Sequence, residues 1–504
     1  MMVRSRRAGI SVPLFSLRST RSWGIGEIGD IPHVAAWLRA ANQSVLQILP
    51  LNELAPSETS PYSALSAMAI DPQFVSVWML DDGAMFEREW QEEIDHVRRA
   101  PRIDYRLVRE LKRRAMRASF DRFLDRDWRV DTANAADFRA FCAQESWWLD
   151  EYSVYRALRA ECGERAWPEW PAGLREREPS AMSLARERLA AEMLFHRYIQ
   201  WVASRQWEAT RRAVEGLEIL GDFPFMVTLD SADVWSRRSD FLLDASVGTP
   251  PDAFSETGQQ WGLPPYNWDE ARKNDFVWLR MRARRQVELY DAFRVDHLVG
   301  FYRTYVRPLD GREPYFMPAD VASQLELGET VLRILIDTGA DVSVEDLGTV
   351  PEFVRLSIAR LGVPGYKVMR WEPADPILYP PLSVAMTGTH DTDSLAVWWE
   401  TLSAAERIRF GSDSTRFNDA VRDRIIARLY NAGSNLVLLP IQDVFGWRDR
   451  VNLPATMGDE NWTYTLPWPC DTLAAQPEAA DCADRLAGLS YHTGRWHPPQ
   501  ASED

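Results

Sequence analysis

Several features that indicate other classes of protein are scarce or missing in this sequence of 504 residues. It has four cysteines and no CxxC pair, which argues against a disulfide framework or a zinc site and predicts reduced thiols at Cys142, Cys162, Cys470 and Cys482. No run approaches the roughly 18 apolar residues of a membrane span. The apolar stretch near the N-terminus is interrupted by Pro13 and Arg18, so it is a poor secretory signal. We therefore expect a cytoplasmic protein with no membrane partner.

Positive charge is also in deficit. The chain has 58 Lys and Arg against 74 Asp and Glu, a formal net charge of −16. Because phosphate binding favours a basic surface, this balance argues against nucleic acid as a partner and suits an enzyme acting on neutral substrates. Tryptophan, in contrast, is abundant, with 22 residues. Most tryptophans pack in cores, but the indole ring is also a flat apolar platform on which sugar rings lie.

Short apolar runs alternate with amphipathic, helix-like segments along the chain. Eight runs are predicted as strands: Gly9–Leu17, Val45–Leu51, Glu218–Val227, Ala292–Leu298, Val342–Gly348, Gly365–Trp371, Val384–Asp391 and Asn435–Asp443. Between them, amphipathic helices are predicted at Phe276–Tyr290, Val321–Thr338 and Asp393–Tyr430. Strands that alternate with helices form parallel sheets, and eight of them suggest closure, so we predict an α/β fold, a (β/α)8 TIM barrel.

An open doubly wound sheet is the alternative fold. Gly24–Gly29 matches the GxGxxG pattern of nucleotide-binding loops, but it lies well after the first strand, where that motif has no such role. We predict that residues 1–504 form one catalytic barrel with no separate C-terminal β-domain. Residues 82–190 are charge-rich and mostly helical, and they are predicted to be a helical subdomain inserted within the barrel.

Acidic residues stand near the ends of three predicted strands, in RVDH at 294–297, VEDLG at 344–348 and GTHDTD at 388–393. Active sites of such barrels lie at the C-terminal ends of the strands. Alternation along a strand puts Arg294 and Asp296 on one face, where the guanidinium lowers the carboxyl pKa and keeps it ionised, as a nucleophile requires. A second carboxylate nearby would raise the pKa of Glu345, which could then deliver a proton to a leaving oxygen.

Two carboxyl groups about 5–5.5 Å apart support cleavage of a glycosidic bond with retention of configuration. In that interpretation His390 and Asp391 hold sugar hydroxyls. The plainer alternative is that each acid is a surface or ion-paired residue at a strand end. A third possibility is a divalent ion bound by Asp296, His297, Glu345, His390 and Asp391, although no HExxH or similarly close pair of ligands supports it. We predict no metal and no cofactor.

The same three segments resemble the catalytic segments of the α-amylase clan, in the form found in amylomaltases and plant disproportionating enzymes (glycoside hydrolase family 77). The similarity extends through nearly the whole chain. It includes SWGIGEIGD at 22–30, SPYSALSAMAIDP at 60–72, GDFPFMVTLDSADVW at 221–235 and LPIQDVFG at 439–446. PPDAFSETGQQWGLPPYNW at 250–268 resembles the family's lid loop and is the longest and most specific match.

By position, the resemblance implies that Asp296 is the nucleophile, Glu345 the general acid/base and Asp391 the transition-state stabiliser. It also implies a set of substrate-binding residues, Tyr62, Asp230, Asp252, Gln259, Trp261, Arg294, His297 and His390. Residues 228–275 would form an insertion that covers the substrate and contains the lid loop. The partners implied are α-1,4-glucans and maltooligosaccharides, as donor and as acceptor.

The activity that the resemblance implies is that of a 4-alpha-glucanotransferase, which moves glucan segments through a covalent glycosyl-enzyme. A retaining hydrolase resembling α-amylase is the alternative. A non-catalytic glucan-binding protein on the same scaffold is a third, but all three carboxylates are present. Two departures from the family, Thr392 in place of the commoner Asn and an arginine-free segment Asn461–Thr465, are where we expect a substrate preference of this chain to show.

Overall fold

The computed structural model describes residues 5–251, 258–454, 456, 458 and 460–496. Its strands are β1 Arg7–Ser11, β2 Val45–Gln47, β3 Glu218–Phe223, β4 Ala245–Thr249, β5 Gln259–Gln260, β6 Ala292–Val295, β7 Thr304–Pro308, β8 Tyr315–Met317, β9 Asp341–Val344, β10 Gly365–Val368, β11 Ser383–Met386 and β12 Leu436–Pro440.

The helices before β6 are α1 Ile31–Ala40, α2 Gly83–Glu89, α3 Gln91–Arg99, α4 Tyr105–Phe123, α5 Ala133–Gln144, α6 Ser146–Glu161, α7 Ala172–Arg175, α8 Pro179–Arg188, α9 Ala190–Ala213, α10 Ala232–Ser236, α11 Trp268–Lys273 and α12 Val277–Leu289. Those after it are α13 Val299–Tyr302, α14 Val321–Ile336, α15 Glu352–Leu361, α16 Leu395–Thr401, α17 Ala404–Arg409, α18 Asp419–Tyr430, α19 Ile441–Phe445 and α20 Pro477–His492.

Eight strands close a barrel in the order β1-β12-β11-β10-β9-β6-β3-β2, and all neighbouring pairs are parallel. Each of them falls on one of the eight predicted runs, so the TIM barrel is confirmed and the open sheet is wrong. The strands end earlier than predicted. For example, β3 ends at Phe223 because Pro224 has no N–H to donate to a neighbouring strand, and β11 ends at Met386, before the polar segment that contains Asp391.

Inward-facing side chains fill the barrel. Val45, Leu220, Ala292, Tyr366, Val384, Met386, Leu436 and Leu438 form one buried apolar cluster from six strands. Two larger clusters pack the surrounding helices against the outside of the barrel and against each other. The interior is therefore a solid core, and chemistry is restricted to its rim.

Two of the predicted amphipathic helices are confirmed, as α12 and α14. The third amphipathic stretch, Asp393–Tyr430, is also helical but is divided into α16, α17 and α18. Ser403 starts α17 with a capping box in which its hydroxyl accepts from the Glu406 N–H, and a box of this kind begins a helix rather than continuing one. Gly411 follows α17 with a φ of +88°, a conformation that ends a helix.

Segments between the barrel strands supply the rest of the molecule. Residues 48–217, between β2 and β3, contain α2 to α9. A second sheet, β5-β4-β7-β8, is antiparallel and comes from the segments that follow β3 and β6. After β12 the described residues contain α19 and α20 and no further strand.

Among the residues that the structure describes, no helix is long and apolar enough to cross a membrane. All four cysteines lie in this part of the chain and are free thiols, as predicted.

Candidate active site at the carboxyl ends of the barrel strands

Arg294 occupies the centre of the candidate site. It lies on β6, between β3 and β9, and only 6% of its surface is exposed. Its Nη1 donates to the Asp222 carboxylate, which stands directly opposite on β3. Its Nη2 donates to Asp296 Oδ1 at 2.8 Å and to Glu345 Oε2 at 2.7 Å. One buried guanidinium therefore holds three carboxylates, with the planar fork that lysine lacks.

Asp296 and Glu345 follow β6 and β9 immediately, so the barrel hydrogen bonding fixes their backbones. The Asp296 N–H donates to Phe223 O at 3.0 Å and the Glu345 N–H to Val295 O at 2.9 Å. The next residue, His297, has a φ of +43°, which is uncommon for a residue with a side chain. In this conformation its N–H donates to Glu345 Oε2 at 3.0 Å. The strained backbone thus gives the Glu345 carboxylate a second donor.

The two acids have opposite pKa shifts. Burial raises the pKa of Asp296 well above its usual range, and the charge of Glu345 adds to this, although Arg294 opposes it. Burial also acts to raise the pKa of Glu345, but Arg294 and the His297 N–H outweigh it and lower that pKa to about 2. Two carboxyls this close titrate as a pair that retains one proton.

This order is the reverse of the one expected from sequence, in which Arg294 lowered the pKa of Asp296 and left Glu345 protonated. The reason is that Arg294 Nη2 serves both acids, whereas the His297 N–H serves Glu345 alone.

Tyr62 and His390 extend the site on the other side of Arg294. The Tyr62 hydroxyl donates to Asp222 Oδ2 at 2.7 Å and accepts from Arg294 Nη1 at 3.2 Å. Its ring stacks on that of His390, with centroids 5.5 Å apart and an interplanar angle of 22°. Trp462 lies against both rings and has a φ of +64°. These rings form an apolar wall next to the acids, as a bound sugar requires.

Asp391 lies in the segment after β11, beside His390. Its Oδ2 is 3.4 Å from His390 Nε2, and its Oδ1 accepts from Asn452 Nδ2 at 2.6 Å. With 43% of its side chain exposed, this carboxylate is open to a ligand. His390 and Tyr62 connect it to the cluster around Arg294.

The segment predicted to cover the site lies close to the acid pair. The Trp261 ring packs edge-on against His297, with centroids 5.0 Å apart, and its Nε1 donates to Gln259 Oε1 at 3.2 Å. Asp252 lies outside the described residues.

Asp230 is not part of the cluster formed by the other predicted residues. One of its oxygens accepts from the Tyr155 hydroxyl at 2.9 Å and from the Trp167 N–H at 3.1 Å, and the other pairs with Arg159. Its carboxylate thus holds α6 and the segment after it against the β3 side of the barrel.

Sequence reasoning missed Asp222 and Asn452, and it singled out the segment of Trp462 without predicting the contact of that ring with Tyr62 and His390. Asp222 had a detectable signal, because it interrupts an otherwise buried apolar strand and its alternation aims it inward with Leu220. Asn452 had none, because it contacts Asp391 from 61 residues away along the chain.

This site is equipped for acid/base and covalent carboxylate chemistry. It offers two adjacent carboxyls that share a proton, a third acid nearby, and aromatic rings suited to a sugar. Within the described part of the chain, no group of three or more His, Cys, Asp or Glu is arranged to hold a metal ion.

Comparison with known proteins agrees with this chemistry. The model of glycoside hydrolase family 77, described as 4-alpha-glucanotransferase, matches residues 12–471. The 4-alpha-glucanotransferase of Thermus thermophilus is 32% identical, over 88% of this chain and 92% of its own. That of Chlamydia muridarum is 30% identical, over 94% of this chain and 93% of its own.

A solved structure agrees as well. The amylomaltase from Streptococcus agalactiae in complex with acarbose superposes with a TM-score of 0.82 at 25% identity, covering 98% of this chain and all of its own. With a family model that matches most of the chain and relatives this similar, the chain belongs to glycoside hydrolase family 77, the 4-alpha-glucanotransferases.

Proposed function

We propose that this chain transfers α-1,4-glucan segments between maltooligosaccharides by a retaining double displacement. Asp296 is the nucleophile, Glu345 the general acid/base and Asp391 the transition-state stabiliser. The observation that supports this most directly is the contact of one nitrogen, Arg294 Nη2, with Asp296 at 2.8 Å and with Glu345 at 2.7 Å. Acids that share one donor are too close to admit the water of an inverting enzyme, which needs roughly 6.5–9.5 Å between them.

In the first step Asp296 Oδ attacks the anomeric carbon of the donor. The bond from that carbon to the glycosidic oxygen breaks, and Glu345 gives its proton to the departing oxygen. The two carboxyls share one proton, and Glu345 must carry it when the donor binds. Two changes favour this: the glycosidic oxygen accepts a hydrogen bond from Glu345, and positive charge developing on the sugar ring favours an ionised Asp296.

In the second step an acceptor hydroxyl attacks the glycosyl-enzyme and releases Asp296. Glu345, now a carboxylate, takes the proton of that hydroxyl, which restores the starting state. Transfer therefore requires that a sugar, and not water, occupy the acceptor position. The packing of Trp261 against His297, the residue whose N–H binds Glu345, supports a role for residues 228–275 in covering this position.

The individual binding roles belong to the same proposal. Tyr62, Arg294 and His390 face the donor sugar at the cleaved bond, and Gln259, Trp261 and His297 face the acceptor. The role of Asp230 at the donor sugar and that of Asp252 in the lid remain predictions. So do the two segments proposed as inserted units, the helical subdomain at 82–190 and the covering insertion at 228–275.

Incubation with maltotriose, with products separated by length, tests this function. Transfer yields glucose together with a ladder of maltooligosaccharides longer than the substrate. A hydrolase yields only shorter sugars, and that outcome would contradict the proposal. An unchanged substrate would contradict both enzymatic alternatives and would favour a glucan-binding protein.

A further inference from the structure

We propose that Asn452 is a positioning residue, which holds the Asp391 carboxylate in the orientation that the reaction needs. This inference rests on the stabilising role proposed above for Asp391. Asn452 belongs to the segment after α19, far along the chain from the three acidic segments.

The need for such a residue follows from the exposure of Asp391. With 43% of its side chain exposed, Asp391 has far less packing around it than Asp296 or Glu345, at 22% and 23%. Those two acids also share a hydrogen-bond donor, Arg294. Asp391 has no hydrogen bond to Arg294, and its carboxylate accepts from Asn452 instead. An exposed carboxylate rotates among several rotamers, and fixing one of them costs conformational entropy.

The contact between Asn452 and Asp391 has the right geometry for this task. Asn452 Nδ2 donates to Oδ1 at 2.6 Å, while Oδ2 lies on the side of His390, 3.4 Å from Nε2. One oxygen is thus held and the other faces the Tyr62 and His390 wall. An amide suits this position because it is a neutral donor. It orients the carboxylate without cancelling the negative charge that stabilises a cationic sugar.

Asn452 is itself held in place against the segment that carries Asp391. Its N–H donates to His390 O at 3.1 Å, and its carbonyl accepts from Arg450 Nε at 2.6 Å. Arg450 also donates to the Asp391 carbonyl at 2.5 Å and pairs with Asp393 at 2.6 Å. The segment 450–452 therefore binds the backbone on both sides of the Asp391 side chain as well as the carboxylate itself. An anchored donor of this kind holds its acceptor in place before substrate binds.

Two substitutions at Asn452 test this role, with kcat and KM measured on maltotriose. In Asn452→Leu the amide is lost at similar volume. We expect kcat to fall by about 10²-fold, the effect of a misplaced reacting group, with KM nearly unchanged because the sugar-binding wall is intact. Circular dichroism and the melting temperature verify that the variant is folded.

Asn452→Asp keeps the shape of the side chain and gives a readout in the pH profile. At neutral pH its carboxylate repels that of Asp391, so kcat is low. As the pH falls, the pair binds one proton, and the protonated Asp at 452 donates to Asp391 as the amide did. The kcat of this variant should therefore recover toward acidic pH, whereas that of Asn452→Leu should not. Other charged or titratable groups around the pair are His390, Tyr62, Arg450, Asp393, Arg370 and Asp449.

Asn461→Ala is the matched control. Asn461 Oδ1 accepts from the Leu453 N–H at 2.9 Å, so it supports the same segment, and no hydrogen bond joins it to Asp391. A loss in Asn461→Ala equal to that in Asn452→Leu, together with no acid recovery in Asn452→Asp, would assign the effect to loop order and overturn the inference. So would a kcat unchanged in Asn452→Leu.

Asp391→Asn separates this inference from the proposed function. An active Asp391→Asn would refute the role of Asp391 itself. If instead Asp391→Asn is inactive and Asn452→Leu retains the full kcat, the proposed function stands and only the positioning role fails.

Discussion

At the scale of single residues, Arg294 determines how the site is charged. Its two terminal nitrogens face different groups: Nη1 contacts Asp222 and Tyr62, and Nη2 contacts the acid pair. A buried cation of this kind offsets the repulsion among three acids that lie close together. Its position on β6, directly opposite Asp222 on β3, follows from the register of the barrel.

Arg294→Lys keeps the charge and removes the fork. One ammonium cannot reach both Asp222 and the acid pair, so either the acids lose their common donor or Asp222 is left as a buried charge without a partner. We expect kcat/KM on maltotriose to fall by about 10²–10³-fold. Thermal unfolding of this variant should also show a lower Tm.

Arg282→Lys provides the comparison for that variant. Arg282 is also buried, at 2% exposed, and it binds the carbonyls of Pro224 and Phe225 just beyond β3 without contacting a carboxylate. Its substitution should lower the Tm and leave most of kcat. Equal losses of kcat/KM in the two variants would mean that packing, and not the shared guanidinium, explains the Arg294 result.

Residue-level predictions from the sequence succeeded where the signal was local. Arg294 and Asp296 are two residues apart on one strand, so alternation alone predicts that they meet, and they do. The predicted directions of the pKa shifts of Asp296 and Glu345 were wrong. They depend on the His297 N–H, whose direction follows from an unusual backbone conformation. No periodicity in a sequence reports such a torsion angle.

At the scale of elements, a buried cluster of charges ties α4 to the segment that leads into α1. Lys112 on α4 donates to Glu27 Oε1 at 2.5 Å, and both are at most 1% exposed. Asp30, which is fully buried, accepts from Ser22 Oγ and from the Glu27 N–H, both at 2.7 Å. Its other oxygen has no hydrogen-bond partner among the described residues. Burial, with the charge of Glu27, raises the pKa of Asp30 from 3.8 to about 8.

This raised pKa predicts a pH-dependent effect of Asp30→Asn. The folded chain holds a proton on Asp30 that the unfolded chain releases at lower pH, so the stabilisation it provides is complete below 3.8 and is lost as the pH rises through about 8. The asparagine side chain does not titrate, so the variant does not lose stability at this position as the pH rises. The Tm of the variant minus that of the wild type should therefore increase from about pH 5 to about pH 8 and level off above it. A difference that is constant with pH would contradict the protonated Asp30.

At the scale of the whole molecule, the barrel could be predicted because each of its strands is a local apolar run, and eight such runs alternating with helices have one common closed arrangement. The site could be predicted in outline because acids follow those strands. Its long-range contacts could not be predicted, because they join distant parts of the chain. Tyr62 reaches Arg294 across 232 positions, and Asn452 comes from a segment with no strand or motif of its own.

The segment predicted as a lid is where the resemblance to the family contributed most. Nothing in the periodicity of residues 250–268 indicates a position near the acids. In the structure, Trp261 of this segment packs against His297. The choice between transfer and hydrolysis is a property of the whole molecule. It depends on whether the segment predicted as a lid keeps water away from the acids while an acceptor sugar is bound.

The central claim, a covalent glycosyl-enzyme on Asp296, has one direct test. The donor is α-maltosyl fluoride, whose fluoride leaves without help from a general acid, and the enzyme is the variant Glu345→Gln. This variant can form the intermediate and cannot activate an acceptor to release it, so the intermediate accumulates. Mass spectrometry of the quenched protein should show the gain of one maltosyl group, on the peptide that contains Asp296. No gain in mass, or a maltosyl group on a different residue, would contradict the account.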